Sequence, residues 1–295
     1  MKKAQEKVKI ILESLPYIKS FYGKTVVIKY GGHAMIDDNL KNAFAMDMVL
    51  LKYVGINPVV VHGGGPQIDE LMKKIGKESE FVEGMRVTDK DTMDIVEMVL
   101  GGKINTDIVS LINKHGGNAV GLSGKDANFI KAEKLYGRKK TDKGYEELDL
   151  GLVGEVKEVD TKLLDAVIKN GFIPVIAPFG SDDEGNSLNI NADLVAGKIA
   201  EAVKAEKLIL LTDTEGVLDR DGSLISYISY EEAMVMLEEK KVIKGGMLPK
   251  IRCCVEALKN DVSSCHIIDG RLEHAVLLEI FTQKGVGTKI SMGED

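Results

Sequence analysis

The sequence predicts an α/β protein. Three observations carry that reading. Short runs rich in Val and Ile alternate with segments of helical periodicity. Glycine clusters stand where a run ends and a helix begins. Aromatic residues make up only 5% of the chain and Trp is absent, against 31 Gly. The 295 residues, 44% hydrophobic and 29% charged, suffice for one large domain or two lobes. A formal charge of −7 argues against a general affinity for nucleic acid or anionic membrane and leaves small anions open as ligands. Cys253, Cys254 and Cys265 are odd in number and lack CxxC spacing, so neither a disulfide framework nor a zinc site is expected, and a reducing cytoplasm is the default setting. No secretory signal or transmembrane stretch is read.

Taken in order, residues 4–22 place Val8, Ile11, Leu12, Leu15, Ile18 and Tyr22 near the period of an amphipathic helix, which Pro16 should kink or interrupt. A helix ahead of the first strand either packs on its own domain or docks on another subunit as an oligomerisation arm. The first strand, Thr25 to Tyr30, ends in Gly31 and Gly32. Lys29 lies inside this apolar run; an ammonium buried without a partner is costly, so an anion is expected beside it. Asp38 to Val54 reads as a crossover helix, capped by Asp37 or Asp38 and stopped at Gly55. The second strand, Pro58 to Val61, leads directly into His62, Gly63, Gly64 and Gly65, after which Pro66, Ile68, Leu71 and Met72 open a helix. Such a turn either only seats the helix close to the sheet or bares amides at a helix start as an anion cradle. Ligands of open α/β sheets gather at the carboxyl ends of strands, so both glycine loops and Lys29 are expected to face one crevice.

Phe81 to Thr88 reads as a hairpin, in which Arg86 is either a surface residue or a bidentate carboxylate clamp. A long helical region, Asp89 to His115, relaxes at Gly101 and Gly102, and a strand follows at Ala119–Ser123. Gly121 to Asp126 imitates a P-loop without its spacing, and no GxGxxG occurs, which removes a Walker A site and weakens a dinucleotide site. Residues 129–160 read as antiparallel strands around a basic loop at Arg138–Lys143. Thr161–Asn170 reads as a helix and Phe172–Gly180 as one buried strand. Asn189, Asn191 and Asp193 alternate ahead of a helix at Leu194–Lys204, and N-capping accounts for one of them. Lys207–Asp213 is a further buried strand; the acidic stretch Asp213 to Gly222 lacks EF-hand spacing. Lys244 and Lys250 flank a glycine pair before a helix at Ile251–Leu258, so that cations meet free amides there, a solvated Lys244 being the alternative. Ser263–Ile268, a helix near Glu273–Phe281 and Thr288 to Ser291 complete the sheet.

Six pieces in fixed order carry a resemblance: Val27-Ile-Lys-Tyr-Gly-Gly32, Val60-Val-His-Gly-Gly-Gly65, Gly84-Met-Arg-Val-Thr88, Asn189-Ile-Asn-Ala-Asp193, Leu211-Thr-Asp-Thr-Glu-Gly-Val217 and Lys244-Gly-Gly-Met-Leu-Pro-Lys250. From about Thr25 to the C-terminus the chain resembles the amino acid kinase family, and within it the arginine-sensitive branch that phosphorylates the side-chain carboxylate of N-acetyl-L-glutamate in arginine biosynthesis. The resemblance implies a three-layer αβα sandwich with a central, mainly parallel sheet. Residues 1–24 would be a kinked helix for oligomerisation and regulation, 25–180 an N-terminal lobe binding acetylglutamate, and 181–295 a C-terminal lobe binding ATP.

The same resemblance implies roles. Lys29 and Lys250 neutralise the transferring phosphoryl group, and Asp193 holds both lysines. Gly64 and Gly65 cradle the reacting carboxylate, and Arg86 and Asn189 bind the rest of the substrate. Gly31, Gly32, Asp213, Gly216, Lys244, Gly246 and Met247 lie at the nucleotide, with Mg²⁺ carried mainly on the ATP phosphates and no protein residue assigned to metal. A glutamate side chain, with a reference pKa near ~4.3, is already ionised at neutral pH and needs no general base, in keeping with a set that contains no catalytic His. L-Arginine as an inhibitor, bound between the N-terminal helix and Glu279–Gly287, and a homo-oligomer, a hexamer built as a trimer of dimers, are further implications. Binding of a PII-type signalling protein is left open. Two alternatives stand beside this reading: a sister kinase acting on aspartate, glutamate, carbamate or UMP, and a noncatalytic ligand sensor on the same fold.

Overall fold

The computed structural model describes residues 1–82, 84–141, 144–239 and 246–293. Eight strands form one sheet in the order Tyr227–Ser229, Thr288–Ser291, Ser264–Asp269, Lys207–Thr212, Thr25–Tyr30, Asn57–His62, Ile173–Ala177, Ala119–Ser123. The six strands from Ser264–Asp269 onward are parallel to one another. Thr288–Ser291 runs antiparallel to Ser264–Asp269 and parallel to Tyr227–Ser229.

Successive residues of a strand face opposite sides, so each central strand divides its apolar side chains between two cores. Val26, Ile28, Tyr30, Val60 and Ile209 join Phe44, Met48, Ile68, Ile112 and Ile280 from the helices Asp38–Tyr53, Gly65–Lys74, Asn105–Lys114 and Ala275–Phe281. Val27, Val59, Val61, Leu208 and Leu210 join Leu164, Val195, Ile199, Ile251 and Cys254 from the helices Lys162–Lys169, Ala192–Ala202 and Met247–Lys259. Helices thus cover both faces, the expected three-layer sandwich. Lys29 keeps the parity of Val27, which brings its ammonium to the layer containing Ala192–Ala202 and Met247–Lys259.

Beside the second core, the strands Ile130–Thr141, Gly144–Val159, Phe179–Ser181 and Ser187–Ile190 close into a small ring. The run expected as a single strand from Phe172 to Gly180 therefore splits. Ile173–Ala177 belongs to the main sheet and Phe179–Ser181 to the ring, with Pro178, which has no N–H to give a ladder, at the division. The basic loop expected at Arg138–Lys143 shrinks, because residues 138–141 pair with residues 144–147; Asp142 and Lys143 lie outside the described residues.

Other boundaries follow local chemistry. Asp37 caps Asp38–Tyr53. Asn191 accepts from the amides of Asp193 and Leu194, so its helix starts at Ala192, ahead of the expected Leu194. The last lysine-bearing helix starts at Met247, ahead of the expected Ile251, and tolerates Pro249 in its first turn, where no intrahelical partner is needed. Pro16 does not interrupt Lys2–Phe21. The stretch after Asp89 is helical, with a π turn at Met98–Ile104 spanning Gly101 and Gly102. The strand Tyr227–Ser229 and the helix Tyr230–Glu239 had no clear sequence signal. Among the described residues no helix is long and apolar enough to cross a membrane.

Candidate active site

Two lysines distant in sequence meet on one carboxylate. Lys250 Nζ donates to Asp193 Oδ2 at 2.6 Å, and Lys29 Nζ stands 3.2 Å from Asp193 Oδ1 as an ion pair outside hydrogen-bond alignment. All three side chains are largely buried, at 11%, 12% and 8% exposure for Lys250, Lys29 and Asp193. The two helices that carry Asp193 and Lys250 can approach because residue 197 is glycine: a Cβ there would stand 2.6 Å from Cys253 Sγ. The Cys253 thiol donates to the Asp193 carbonyl at 3.0 Å.

The electrostatics follow from two cations sharing one anion. Burial opposes ionisation of Asp193, yet both ammonium groups outweigh it and hold the carboxyl at about 2. Burial lowers the pKa of Lys29 and repulsion from Lys250 lowers it further, with Asp193 opposing both. One carboxylate between two ammonium groups leaves this trio with a positive charge that the Asp213 carboxylate offsets only from farther away, and an anion between the two lysines would neutralise it.

Both glycine loops border this cluster. The Lys29 side chain lies over Gly31, where a Cβ would come within 2.7 Å of Nζ. The Gly63 amide donates to Tyr30 O at 2.7 Å, tying one loop to the other. Gly32 adopts φ +69°, a left-handed turn that favours glycine, and the Asp213 carboxylate fills the place of its missing side chain while accepting from the His33 amide at 2.6 Å. Asp213 is therefore a support of the first loop. In the second loop, Leu100 and Ile104 occupy the space a Gly64 side chain would need. The helix Gly65–Lys74 starts at this loop, leaving first-turn amides without intrahelical partners.

His62 anchors the same loop without offering a base. Burial pushes its imidazole down to about 4, so the ring is neutral near pH 7. Gly63 O can only accept, so Nδ1 carries the proton of their 2.8 Å contact, and Nε2 accepts from Asn105 Nδ2 at 3.2 Å.

Arg86 is buried, which removes the surface-residue alternative. Nη1 donates to Asp69 Oδ1 at 2.6 Å and to Ser79 Oγ at 2.5 Å, Nη2 donates to Gly65 O at 3.2 Å, and the Phe81 ring lies 4.6 Å from the guanidinium. The guanidinium is thus fixed to the glycine loop. Asn189, on the strand Ser187–Ile190, donates through Nδ2 to Thr88 Oγ1 at 3.2 Å. Gly216 packs against Leu224 and Thr288, Gly246 faces open space just before the helix Met247–Lys259, and Met247 is packed on the second core. Lys244 lies outside the described residues. The parts played here by Asp69, Ser79, Thr88 and Cys253 escaped the sequence reading. Asp69 sits one helical turn after Gly65, a spacing that could have flagged it.

A family model described as the amino acid kinase family matches residues 24–269. Acetylglutamate kinase from Syntrophus aciditrophicus is 59% identical over 292 residues, covering 98% of each chain. Acetylglutamate kinase from Syntrophobacter fumaroxidans is 61% identical over 287 residues, covering 97% of this chain and 96% of its own. Among solved structures, the N-acetylglutamate synthase from Neisseria gonorrhoeae complexed with coenzyme A and N-acetyl-glutamate matches with a TM-score of 0.84 at 26% identity, over 98% of this chain and 64% of that one. A carbamate kinase from Giardia matches with a TM-score of 0.66 at 17% identity, over 92% of this chain and 100% of that one, a likeness of fold.

Proposed function

Since the chain belongs to the amino acid kinase family, we propose that it transfers the γ-phosphoryl group of ATP to the side-chain carboxylate of N-acetyl-L-glutamate, giving N-acetyl-L-glutamyl 5-phosphate, the second step of arginine biosynthesis. The observation that carries this is Asp193 held between Lys29 and Lys250 beside two glycine loops. The barrier to the reaction is repulsion between a carboxylate and a triphosphate chain, and fixed cations and amides that meet charge as it develops lower such barriers. Lys29 and Lys250 neutralise the phosphoryl group in flight, and Asp193 keeps their ammonium groups convergent. Amides of Gly64 and Gly65 hold the attacking carboxylate in line, and Arg86 and Asn189 bind the substrate's other polar groups. The neutral, buried His62 fits a reaction that needs no base.

The nucleotide lies against Gly31, Gly32, Gly216, Gly246 and Met247, with Asp213 at the same cleft. Mg²⁺ would be carried mainly on the ATP phosphates and would supply charge neutralisation between nucleotide and acceptor; Asp193, whose oxygens both face ammonium groups, is left to the lysines. Residues 25–180 serve the acetylated substrate and 181–295 the nucleotide. The three free thiols suit the cytoplasm. An ADP-release assay with ATP and Mg²⁺ tests the reading. Release is expected only with N-acetyl-L-glutamate; release with aspartate, glutamate, carbamate or UMP in its place overturns it.

Regulation belongs to the same proposal. Val8, Ile11, Leu12 and Leu15 form an exposed apolar stripe on Lys2–Phe21, suited to docking on another copy in a hexamer. Where this helix ends, Lys207 Nζ lies 5.4 Å from the Phe21 ring and 3.3 Å from Glu279, which also pairs with His266 at 2.7 Å. L-Arginine bound between this helix and Glu279–Gly287 inhibits the enzyme, with Glu279, now held by Lys207, His266 and the Val286 amide, at the edge of that site. Deleting residues 1–20 should lower the solution mass and remove inhibition by added arginine; an unchanged mass rejects the arm.

A further inference from the structure

Arg86 comes from an element with little holding power of its own, and one hydroxyl joins it to Asn189. The hairpin Phe81–Val82 with Met85–Arg86 has strands of only two residues, too short to fix a guanidinium by pairing alone. Thr88, two residues on, is fully buried. Its hydroxyl lies 2.7 Å from Arg86 O and 3.2 Å from Asn189 Nδ2.

The direction of each bond is forced. A carbonyl oxygen can only accept, so the single hydroxyl proton goes to Arg86 O. The oxygen then has only lone pairs left for residue 189, so Asn189 must present its NH₂ to Thr88. That assignment sets which end of the amide is spent: Nδ2 is engaged, and Oδ1 is the end left to accept from a ligand. Were the hydroxyl missing, nothing on this side would choose between the two amide orientations.

The backbone of Thr88 is fixed as firmly as its side chain. Its amide donates to Leu150 O at 2.9 Å and its carbonyl accepts from the Leu152 amide at 2.6 Å, clasping the strand Gly144–Val159 on either side of Gly151. Gly151 adopts φ +77°, and a Cβ there would collide with the Thr88 carbonyl, so glycine permits the clasp. Two residues further, Val153 of that strand pairs with Asn189. Thr88 and Asn189 are therefore registered on one strand, and the Thr88 hydroxyl reaches back from it to the Arg86 carbonyl.

We propose that Thr88 is a positioning residue for N-acetyl-L-glutamate: it fixes the spacing of Arg86 and Asn189 and orients the Asn189 amide with its oxygen toward the substrate's N–H donor. This rests on the acetylglutamate reading above and goes beyond it in naming what pre-organises the substrate contacts. Thr88 touches neither the phosphoryl group nor its lysines, so its effect is confined to one substrate.

Thr88→Val keeps shape and volume and removes the hydroxyl, and Thr88→Ser restores it. Steady-state kinetics with each substrate varied should show KM for N-acetyl-L-glutamate raised about tenfold in Thr88→Val, the worth of a buried hydrogen bond left unmade. KM for ATP should be unchanged and kcat within about twofold, since the lost contact does not strengthen in the transition state. Thr88→Ser should return KM to near the wild-type value, and Thr88→Val combined with Asn189→Ala should be no worse than Asn189→Ala alone. An unchanged KM in Thr88→Val, or equal damage in Val and Ser variants, overturns the proposal. Should Thr88→Val fail to fold, Thr88→Cys, whose thiol is a weak donor and acceptor, carries the same test at about threefold, with an unchanged KM again contradicting it. A wild-type enzyme that ignores acetylglutamate overturns the functional reading and this proposal together; a responsive wild type with an indifferent Val variant overturns this one alone.

Discussion

Replacing Asp193 by Asn removes the single charge that separates two buried ammonium groups while keeping the side chain's shape. A carboxyl held at about 2 against an ordinary 3.8 corresponds to about 2.5 kcal/mol in favour of its ionised form. Removing one partner of a buried ion pair costs about 3–5 kcal/mol. Together these give an expected loss of about 3 kcal/mol, which lowers Tm by about 5 °C in a chain of 295 residues. The loss carries a pH signature. A carboxyl whose folded pKa lies below its unfolded value adds stability that is fully present above about pH 4 and disappears as pH falls through about 2. The gap between wild type and Asp193→Asn in urea unfolding should thus be full at neutral pH and close on acidification. Lys29 is already depressed by burial and by Lys250, and it falls further without its carboxylate, so kcat near neutral pH should drop ~10²-fold. ATP supplies the missing negative charge and should raise the variant's Tm by more than the wild type's. A variant with wild-type stability, wild-type kcat and an ordinary response to ATP would refute this reasoning.

Lys29→Ala and Lys250→Ala should each lower kcat ~10²-fold or more, as loss of a preorganised charge does, with KM for N-acetyl-L-glutamate little changed; the reverse split in steady-state kinetics contradicts their roles. Arg86→Ala should raise KM for N-acetyl-L-glutamate at least about tenfold and leave kcat within a few-fold, because the charge it binds does not change during the reaction. The lowered pKa of Lys29 places its loss of charge below 10.5, so kcat/KM should begin to fall on the alkaline side before that value; a profile flat up to it counts against a buried Lys29.

Much of the site was legible because it breaks local rules. Lys29 stands out in Thr25–Tyr30 as a charge among apolar residues, and the two-residue period of a strand assigns it the side of Val27. The glycine loops announced themselves by composition, and the Asn-x-Asn-x-Asp alternation held both the cap, Asn191, and the carboxylate, Asp193. What escaped depends on contacts between distant segments. Asp213 reads as a nucleotide-site residue in sequence, and its bond to the His33 amide, 180 residues away, has no local signal. Arg86 could not be told from a surface arginine until Asp69 and Ser79 were seen around it. Lys250 reads in sequence as lying ahead of a helix at Ile251, whereas the helix begins at Met247, directly after Gly246, and buries the lysine within its first turn. The division at Pro178 shows the limit of reading apolar runs: Phe172 to Gly180 is uniformly hydrophobic, and only pairing partners reveal that it serves two sheets.

The central claim is that the ammonium groups of Lys29 and Lys250, set by Asp193, converge on one phosphoryl group. A crystal structure of the protein with ADP, tetrafluoroaluminate, Mg²⁺ and N-acetyl-L-glutamate tests it most directly. Both Nζ atoms should lie within about 3 Å of fluorides on the planar aluminium group while Asp193 still bridges them. A complex in which either Nζ makes no contact with that group would contradict the claim.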